Sequence, residues 1–417
     1  MATTFLTLQQ EVLRRATRDQ SGTTFASAAK FAINSSLARI SRDAPWRSMR
    51  RKDTLTTVSS YTKGSTTVGG TGASVTSGSA TVTVPQATFI TDGVQVGRKV
   101  KVSASGTYYF INTIPSETTF TVDQTIYAAS STGNSYEILP QDEYVLPPTV
   151  GHRMFLWHEM FGYPFKLSYI PDMDFYTHGV YLITKYPPTH YRMWGENMVI
   201  TQVRQPSAIT IASSSASDTN ISVTVFGNVS GYPDFEIINT NSSNGTTAVT
   251  GSKVFSYVER IVKQSATIGR ITASANSLQD TLAVLPVGDT TSGILYRKIQ
   301  LYPLPNQVAP VHVEYYKEPN KLVNDGDVHE LGEDFDEAII LLSTAKVKAE
   351  ANLADADRFF AMWQDELRSL KRTNVDKIDW FPRLSRPRQS SSDALVTSNL
   401  LFRQVGGTGT YGPASRF

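Results

Sequence analysis

Residues 33–58, INSSLARISRDAPWRSMRRKDTLTTV, contain the point at which helical patterning gives way to strand-like patterning. Apolar residues recur at helical spacing as far as Ile40, and the pattern stops before Pro45 because the residue preceding a proline is disfavoured in a helix. After a short basic run, apolar and polar residues alternate with a period of two, as in a half-buried strand. The stretch therefore predicts a helix followed by a strand, with Trp46 and Arg47 anchoring the helical part to the β part.

Helical patterns occupy both ends of the chain. Residues 5–19 and 25–42 place apolar side chains on one face, and residues 333–373 contain two further apolar stripes. Because amphipathic helices bury their apolar faces against one another, we expect the helices within 1–53 to pack with those within 333–373. The predicted fold class is therefore α+β multidomain, built on a helical bundle from both chain ends.

Stretches rich in Thr, Ser, Val and Gly predict two all-β domains inserted between the helices. Residues 54–140 contain five or six short strands separated by turn signals, which is typical of a small β-barrel or sandwich. Residues 205–295 have the strand lengths and spacing of an immunoglobulin-like β-sandwich, without its cysteine pair. Between them, residues 141–204 form an aromatic-rich β/loop segment that would supply core or a subunit contact. Residues 296–332 then supply return strands.

Residues 374–417 are predicted to form an extended C-terminal arm. Much of this segment is Ser, Gly, Pro and Arg, a composition that orders poorly alone. Apolar residues nevertheless recur along it, as expected for an arm that orders against a neighbouring molecule. The candidate contact residues of the arm are Trp380, Phe381, Leu384, Arg386, Arg388, Leu400, Leu401, Phe402 and Phe417.

Charge and cysteine content exclude several classes of protein. The formal net charge of +2 implies no bulk attraction to nucleic acid or membrane, although both chain ends are basic and the middle is acidic. The lack of cysteine excludes disulfides, thiolate catalysis and cysteine-based metal sites. No apolar run is long enough to span a membrane, and the first residues do not resemble a signal peptide.

Candidate catalytic and metal-binding motifs have simpler structural interpretations. The sequence after His158 does not continue as a zinc-protease motif, so His152 and His158 are interpreted as structural histidines, with a metal site as the alternative. The acidic residues within 333–337 could mimic paired catalytic carboxylates, but complementing the dipole of a helix is the simpler account. We therefore expect no catalytic residue, no metal site and no cofactor.

Two basic stretches are candidate nucleic-acid contacts. The run Arg50-Arg51-Lys52 could contact phosphates, although a solvated turn is the favoured interpretation. Aromatic and basic residues are interleaved in 153–194 and could stack on bases, but core packing is favoured there.

Several short stretches resemble head-to-tail adaptor (connector) proteins of tailed bacteriophages. The matching stretches are INSSLARI (33–40), APWR (44–47), RR (50–51), QDEYVLP (141–147), IQLYPLP (299–305), VEYYKEP (313–319) and FDEAI (335–339).

The resemblance implies a structural virion protein made in the cytoplasm of a bacterial host. Such adaptors form a homo-oligomeric ring, commonly of about twelve subunits, beneath the portal protein in the virion neck. The ring extends the channel for genomic DNA, which passes without sequence-specific binding, and it docks tail or nozzle proteins. The C-terminal arm of similar proteins reaches onto the portal.

Two other classes of function remain as alternatives. A glycan-binding virion or cell-surface β adhesin would use exposed aromatic residues of the β domains. A glycan depolymerase would need paired carboxylates in a cleft, and no such pair is readable in the sequence.

Overall fold

The structure of the protein is a computed structural model that describes residues 3–17, 23–126, 129–172, 174, 183–275, 280–288, 294–353 and 355–375. The chain divides into two units, residues 1–374 and 375–417. The nine candidate contact residues of the predicted arm all lie outside the described residues. The description below concerns the first unit.

The fold is mainly β. Among the described residues, strands account for 39% and helices for 22%, and this part of the chain holds four α-helices alongside four sheets. The expected α+β fold built on a helical bundle from both chain ends is therefore wrong, whereas the expectation of β domains fits in part. The physical reason is that most buried apolar residues lie in segments with a period of two, and these segments form their own sheets and cores.

The four helices lie near the two ends of the first unit. They are α1 (Phe5–Thr17), α2 (Thr23–Asp43), α3 (Asp336–Glu350) and α4 (Ala356–Asn374). Helix α3 contacts each of the other three. Its apolar residues are not confined to one face, as expected for a helix that is covered on several sides.

The first β region is a seven-stranded sheet that follows the strand β1 (Arg50–Thr56). Its strands are β2 (Ala73–Val75), β3 (Thr81–Thr83), β4 (Lys99–Val102), β5 (Tyr108–Ser116), β6 (Thr119–Val122), β7 (Ser131–Asn134) and β8 (Tyr136–Ile138). The strand order is β7-β2-β3-β6-β5-β4-β8. The two outermost strands are separated in sequence only by Ser135, so the sheet must curve back toward itself around a core that contains Phe89 and Phe120.

A middle group of strands follows the seven-stranded sheet. These strands are β9 (Glu143–Val145), β10 (Val150–His158), β11 (Phe165–Lys166), β12 (Ser168–Tyr169) and β13 (His190–Asn197). They contribute to two separate four-stranded sheets rather than to one.

The second β region is a six-stranded antiparallel sheet with the order β16-β15-β17-β14-β18-β19. Its strands are β14 (Ser207–Ser213), β15 (Ser222–Val229), β16 (Tyr232–Asn239), β17 (Val249–Lys263), β18 (Ile271–Ala275) and β19 (Asp280–Leu285). The first part of β17 pairs with β14 and its last part with β15. One sheet therefore supplies this region, and the expected two-sheet immunoglobulin-like sandwich is wrong.

The last two strands, β20 (Tyr296–Tyr302) and β21 (Pro310–Lys317), complete the middle sheets. The orders are β1-β21-β10-β11 and β12-β13-β20-β9. These sheets share a core that includes Leu156, Ile299 and Val313. Residues Arg50 to Lys52 begin β1, so the turn expected for them is wrong, whereas their side chains are exposed as expected.

Candidate interaction surface

Aromatic side chains lie on the outer face of the six-stranded sheet. Val223 and Val225 of β15 point into the core. Because successive side chains of a strand point to opposite faces, Phe226 points outward. Across the strands, Phe226 lies opposite Phe235 of β16 and Arg260 of β17. The two ring centroids are 6.0 Å apart, and the Arg260 guanidinium lies 4.2 Å from the centre of the Phe226 ring.

The neighbouring cross-strand rows extend this apolar area. Ile237 lies opposite Thr224, and Tyr257 lies opposite Asn228. The exposed fractions are 52% for Phe235, 51% for Ile237 and 48% for Tyr257. We call the set Phe226, Phe235, Ile237, Tyr257 and Arg260 the β15 surface. Exposed apolar groups that lie next to one another make this face a candidate interaction surface.

Charged residues hold the edge of the β15 surface in place. Lys253 Nζ donates to Asp234 Oδ2 at 2.6 Å, and this hydrogen bond lowers the pKa of Asp234. Glu236 accepts hydrogen bonds from the backbone N–H groups of Ser252 at 2.6 Å and Lys253 at 3.1 Å. These contacts connect β16 to the beginning of β17, so they hold in place the strand that carries Phe235 and Ile237.

A buried ion pair links the two β regions of the chain. Arg204 Nη2 lies 2.8 Å from Asp280 Oδ1, and both side chains are buried. Arg204 Nη1 donates to the Ile90 carbonyl at 3.0 Å, and the Arg204 carbonyl accepts from the Ile114 N–H at 2.9 Å. Burial raises the pKa of Asp280 although Arg204 opposes this change. The pair therefore fixes how the seven-stranded and six-stranded sheets meet.

Two acidic residues within 333–337, Asp336 and Glu337, are held by side chains from distant parts of the chain. Arg15 Nη1 donates to Glu337 Oε1 at 2.6 Å, and His329 Nε2 lies 2.5 Å from Asp336 Oδ1. Thr3 Oγ1 donates to the second oxygen of Asp336. An open cleft of about 470 Å³ beside them is also lined by Arg14. The two carboxylates that line the cleft, those of Glu11 and Asp336, both accept hydrogen bonds from neighbouring side chains.

The histidine candidate for metal binding has a structural environment. His158 is fully buried, and its Nδ1 accepts a hydrogen bond from the Met160 N–H at 3.0 Å. Its Nε2 therefore carries the proton and donates to the Pro188 carbonyl at 2.6 Å. Burial lowers the pKa of His158, which keeps the ring neutral. The side chain of His152 lies outside the described residues, and the described part of the chain contains no cluster of three or more potential metal ligands.

The two predicted anchor residues occupy different environments. Trp46 is fully buried, its Nε1 donates to the Ile40 carbonyl at 2.6 Å, and its ring meets Phe335 edge-on at 4.9 Å. Arg47 is exposed and begins a single 3₁₀ turn that leads into β1. Trp46 thus packs the end of α2 against the turn before α3.

Sequence reasoning missed the β15 surface and the Arg204–Asp280 pair. A signal for the surface was present, because Phe226, Phe235 and Ile237 occupy alternate positions at which a half-solvated strand normally carries polar residues. The ion pair had no sequence signal, since its members are far apart in the chain and meet only through folding.

No protein-family model matches the chain, and comparison with curated proteins gives no match. Among the helices of the described residues, none is long and apolar enough to cross a membrane.

Proposed function

We propose that this chain is a non-enzymatic structural subunit of the virion neck of a tailed bacteriophage. In this role it is a head-to-tail adaptor that assembles into a ring of about twelve copies beneath the portal protein and docks tail or nozzle proteins. Genomic DNA passes through the ring without sequence-specific binding. The observation that carries the proposal is the β15 surface, considered together with the adaptor-like stretches of the sequence.

The composition of the β15 surface suits contact with another protein. Tyr, Phe and Arg are enriched at the buried centres of protein interfaces, and the surface presents Phe235, Tyr257 and Arg260 together. A ring requires each subunit to offer two different patches that meet head to tail. The β15 surface serves as one of these patches.

The polar groups of the described residues favour a structural role. The carboxylates of Asp336 and Glu337 are held by His329 and Arg15, and both nitrogens of His158 are used in hydrogen bonds to the backbone. These groups stabilise the fold, which leaves assembly as the function that best accounts for the exposed aromatic residues.

The direct test is the mass of the purified protein, alone and mixed with the portal protein encoded with it, by sedimentation velocity. We expect a 45.9 kDa species alone and a ring on the portal. Phe235→Ser and Ile237→Ser should prevent ring formation without changing the melting temperature. The matched control is Ile268→Ser, which removes an exposed apolar side chain elsewhere in the same β region. Rings that form equally well with all three variants would contradict a role for the β15 surface.

The β15 surface also supports the second candidate, a glycan-binding β adhesin. Exposed rings such as Phe235 and Tyr257 can pack against the apolar face of a sugar, and Asn228 lies between their strands as a polar partner. A glycan array separates the two functions. Binding to an array together with indifference to the portal would replace the adaptor proposal, whereas silence on the array with assembly on the portal would remove the adhesin.

A further inference from the structure

The outer face of the sheet β1-β21-β10-β11 combines cations with aromatic rings. Val311 and Val313 of β21 point into the core, so His312 and Glu314 point away from it. One cross-strand row runs from Thr54 on β1 through His312 on β21 and Trp157 on β10 to Lys166 on β11. We call the face formed by Arg50, Lys52, Phe155, Trp157, Lys166, His312 and Glu314 the Trp157 face.

The lysines of the Trp157 face lie over its aromatic rings. Lys52 Nζ is 4.7 Å from the centre of the Trp157 ring, and Lys166 Nζ is 4.9 Å from the centre of the Phe155 ring. The His312 imidazole lies beside Trp157 with a centroid separation of 4.1 Å. Both aromatic rings are partly exposed. Two strands that are remote in sequence thus bring a basic run and an aromatic run onto one surface.

The only carboxylate of the Trp157 face is occupied by neighbours on the same face. Glu314 accepts from Arg50 Nη2 at 2.6 Å and from Trp157 Nε1 at 3.3 Å. The hydrogen bond from Arg50 lowers the pKa of Glu314, which therefore stays ionised and keeps Arg50 in position. Lys52 and Lys166 form no salt bridge with any described residue. With three cations and one anion, the face carries a net charge of 3 − 1 = +2, counting His312 as neutral.

This combination suits a ligand that offers both flat rings and negative charges. Unpaired bases stack on aromatic side chains whatever their identity, while lysines neutralise the phosphates that connect the bases. An acidic peptide would use the lysines but leave the rings without partners. The paired bases of a duplex are stacked on one another and would have to be unstacked before they could pack on these rings. We infer that the Trp157 face binds single-stranded nucleic acid through base stacking and phosphate contacts, without sequence preference.

Binding requires only local movement of side chains. Lys52 lies over the Trp157 ring on a flexible four-carbon stem, so its ammonium can move to a phosphate while a base takes its place over the ring. Trp157 and Phe155 are two residues apart on β10, which places them about 7 Å apart on the same face. They therefore provide two successive stacking positions along one strand, with a lysine beside each.

The test is fluorescence anisotropy of a labelled oligothymidylate with the full-length protein over a range of salt concentrations. Trp157→Ala should weaken binding about tenfold or more, and Trp157→Phe should retain most of the affinity because it keeps a ring. The double variant Lys52→Gln with Lys166→Gln should lower the slope of log affinity against log salt by roughly 1.4, since two phosphate contacts are lost. Lys348→Gln is the matched control, because Lys348 also lies over a ring, that of Phe359, but outside this sheet.

The outcomes separate this inference from its rivals. Equal affinity of the wild type, Trp157→Ala and the lysine double variant would overturn it, as would an absence of binding at low salt. Binding to polyglutamate but not to the oligonucleotide would assign the face to an acidic protein instead. The lysine variant changes exposed side chains, so circular dichroism should show it folded even if Trp157→Ala is not. Ring assembly on the portal does not depend on this face, so failure here leaves the adaptor proposal intact.

Discussion

Trp46→Ala tests whether one buried side chain holds the end of α2 to the start of α3. The substitution removes a fully buried ring, its edge-on contact with Phe335 and the hydrogen bond to the Ile40 carbonyl. Replacing a buried Trp by Ala costs about 3–5 kcal/mol. The aromatic pair accounts for roughly 1 kcal/mol of this, and the Ile40 carbonyl loses its side-chain donor. We therefore expect a loss of about 4–5 kcal/mol, near the upper end of the range.

Native-state hydrogen exchange measures this loss locally, which matters in a chain that has several cores. Protection of the amides in α2 and α3 should fall by roughly 10³-fold, whereas the strands of the six-stranded sheet should change little. Trp46→Phe keeps the ring contact but removes the donor, so it should have an intermediate effect. Phe31→Ala is the control, because Phe31 lies on α2 with 74% of its surface exposed. Equal protection in Trp46→Ala and Phe31→Ala would refute the reasoning.

Three further predictions concern other parts of the chain. Arg204→Met should lower the free energy of unfolding, measured in urea, by about 3–5 kcal/mol because it leaves Asp280 buried and unpaired. The control Arg42→Met breaks an exposed pair with Glu318 and should lower it by less than about 1 kcal/mol. Equal losses in the two variants would contradict the role of burial. Hydrogen bonding to Arg14 lowers the pKa of Glu11 to about 2, so its stabilisation is complete above the unfolded pKa of 4.5 and is lost as the pH falls toward 2. Glu11→Gln should therefore flatten the melting temperature profile between these pH values, and an unchanged profile would count against the ion pair. Deleting residues 380–417 should leave the melting temperature unchanged but abolish docking to the portal. Normal assembly of the truncated chain with the portal would contradict a docking role for the arm.

The sequence determined individual elements where a local pattern was sufficient. The helical period before Pro45 corresponds to α2, which ends at Asp43 as the proline requires. The alternating residues 208–211 and 221–225 correspond to β14 and the first half of β15, because side chains on a strand point to opposite faces whatever the strand pairs with.

The local patterns did not determine how much of the buried core each helix or strand supplies. Helical periods at both chain ends predicted a bundle as the framework, yet the period-two segments between them bury most of the core. The sheet of 207–285 likewise has the strand spacing of a sandwich, but β17 is long enough to pair with both β14 and β15, so all six strands belong to one sheet. Strand spacing alone does not separate one bent sheet from two packed ones.

Only the tertiary structure decided which distant residues meet. Arg50 to Lys52 lie beside residues 314–316 because β1 pairs with β21, a partner more than 250 residues away. This pairing brings Lys52 to Trp157, and the packing of two β regions likewise brings Arg204 to Asp280. The sequence by itself determined the kind of element and the face of each side chain, because backbone geometry repeats over a few residues. The partners were decided by tertiary structure, because they depend on which faces the whole chain can bury together.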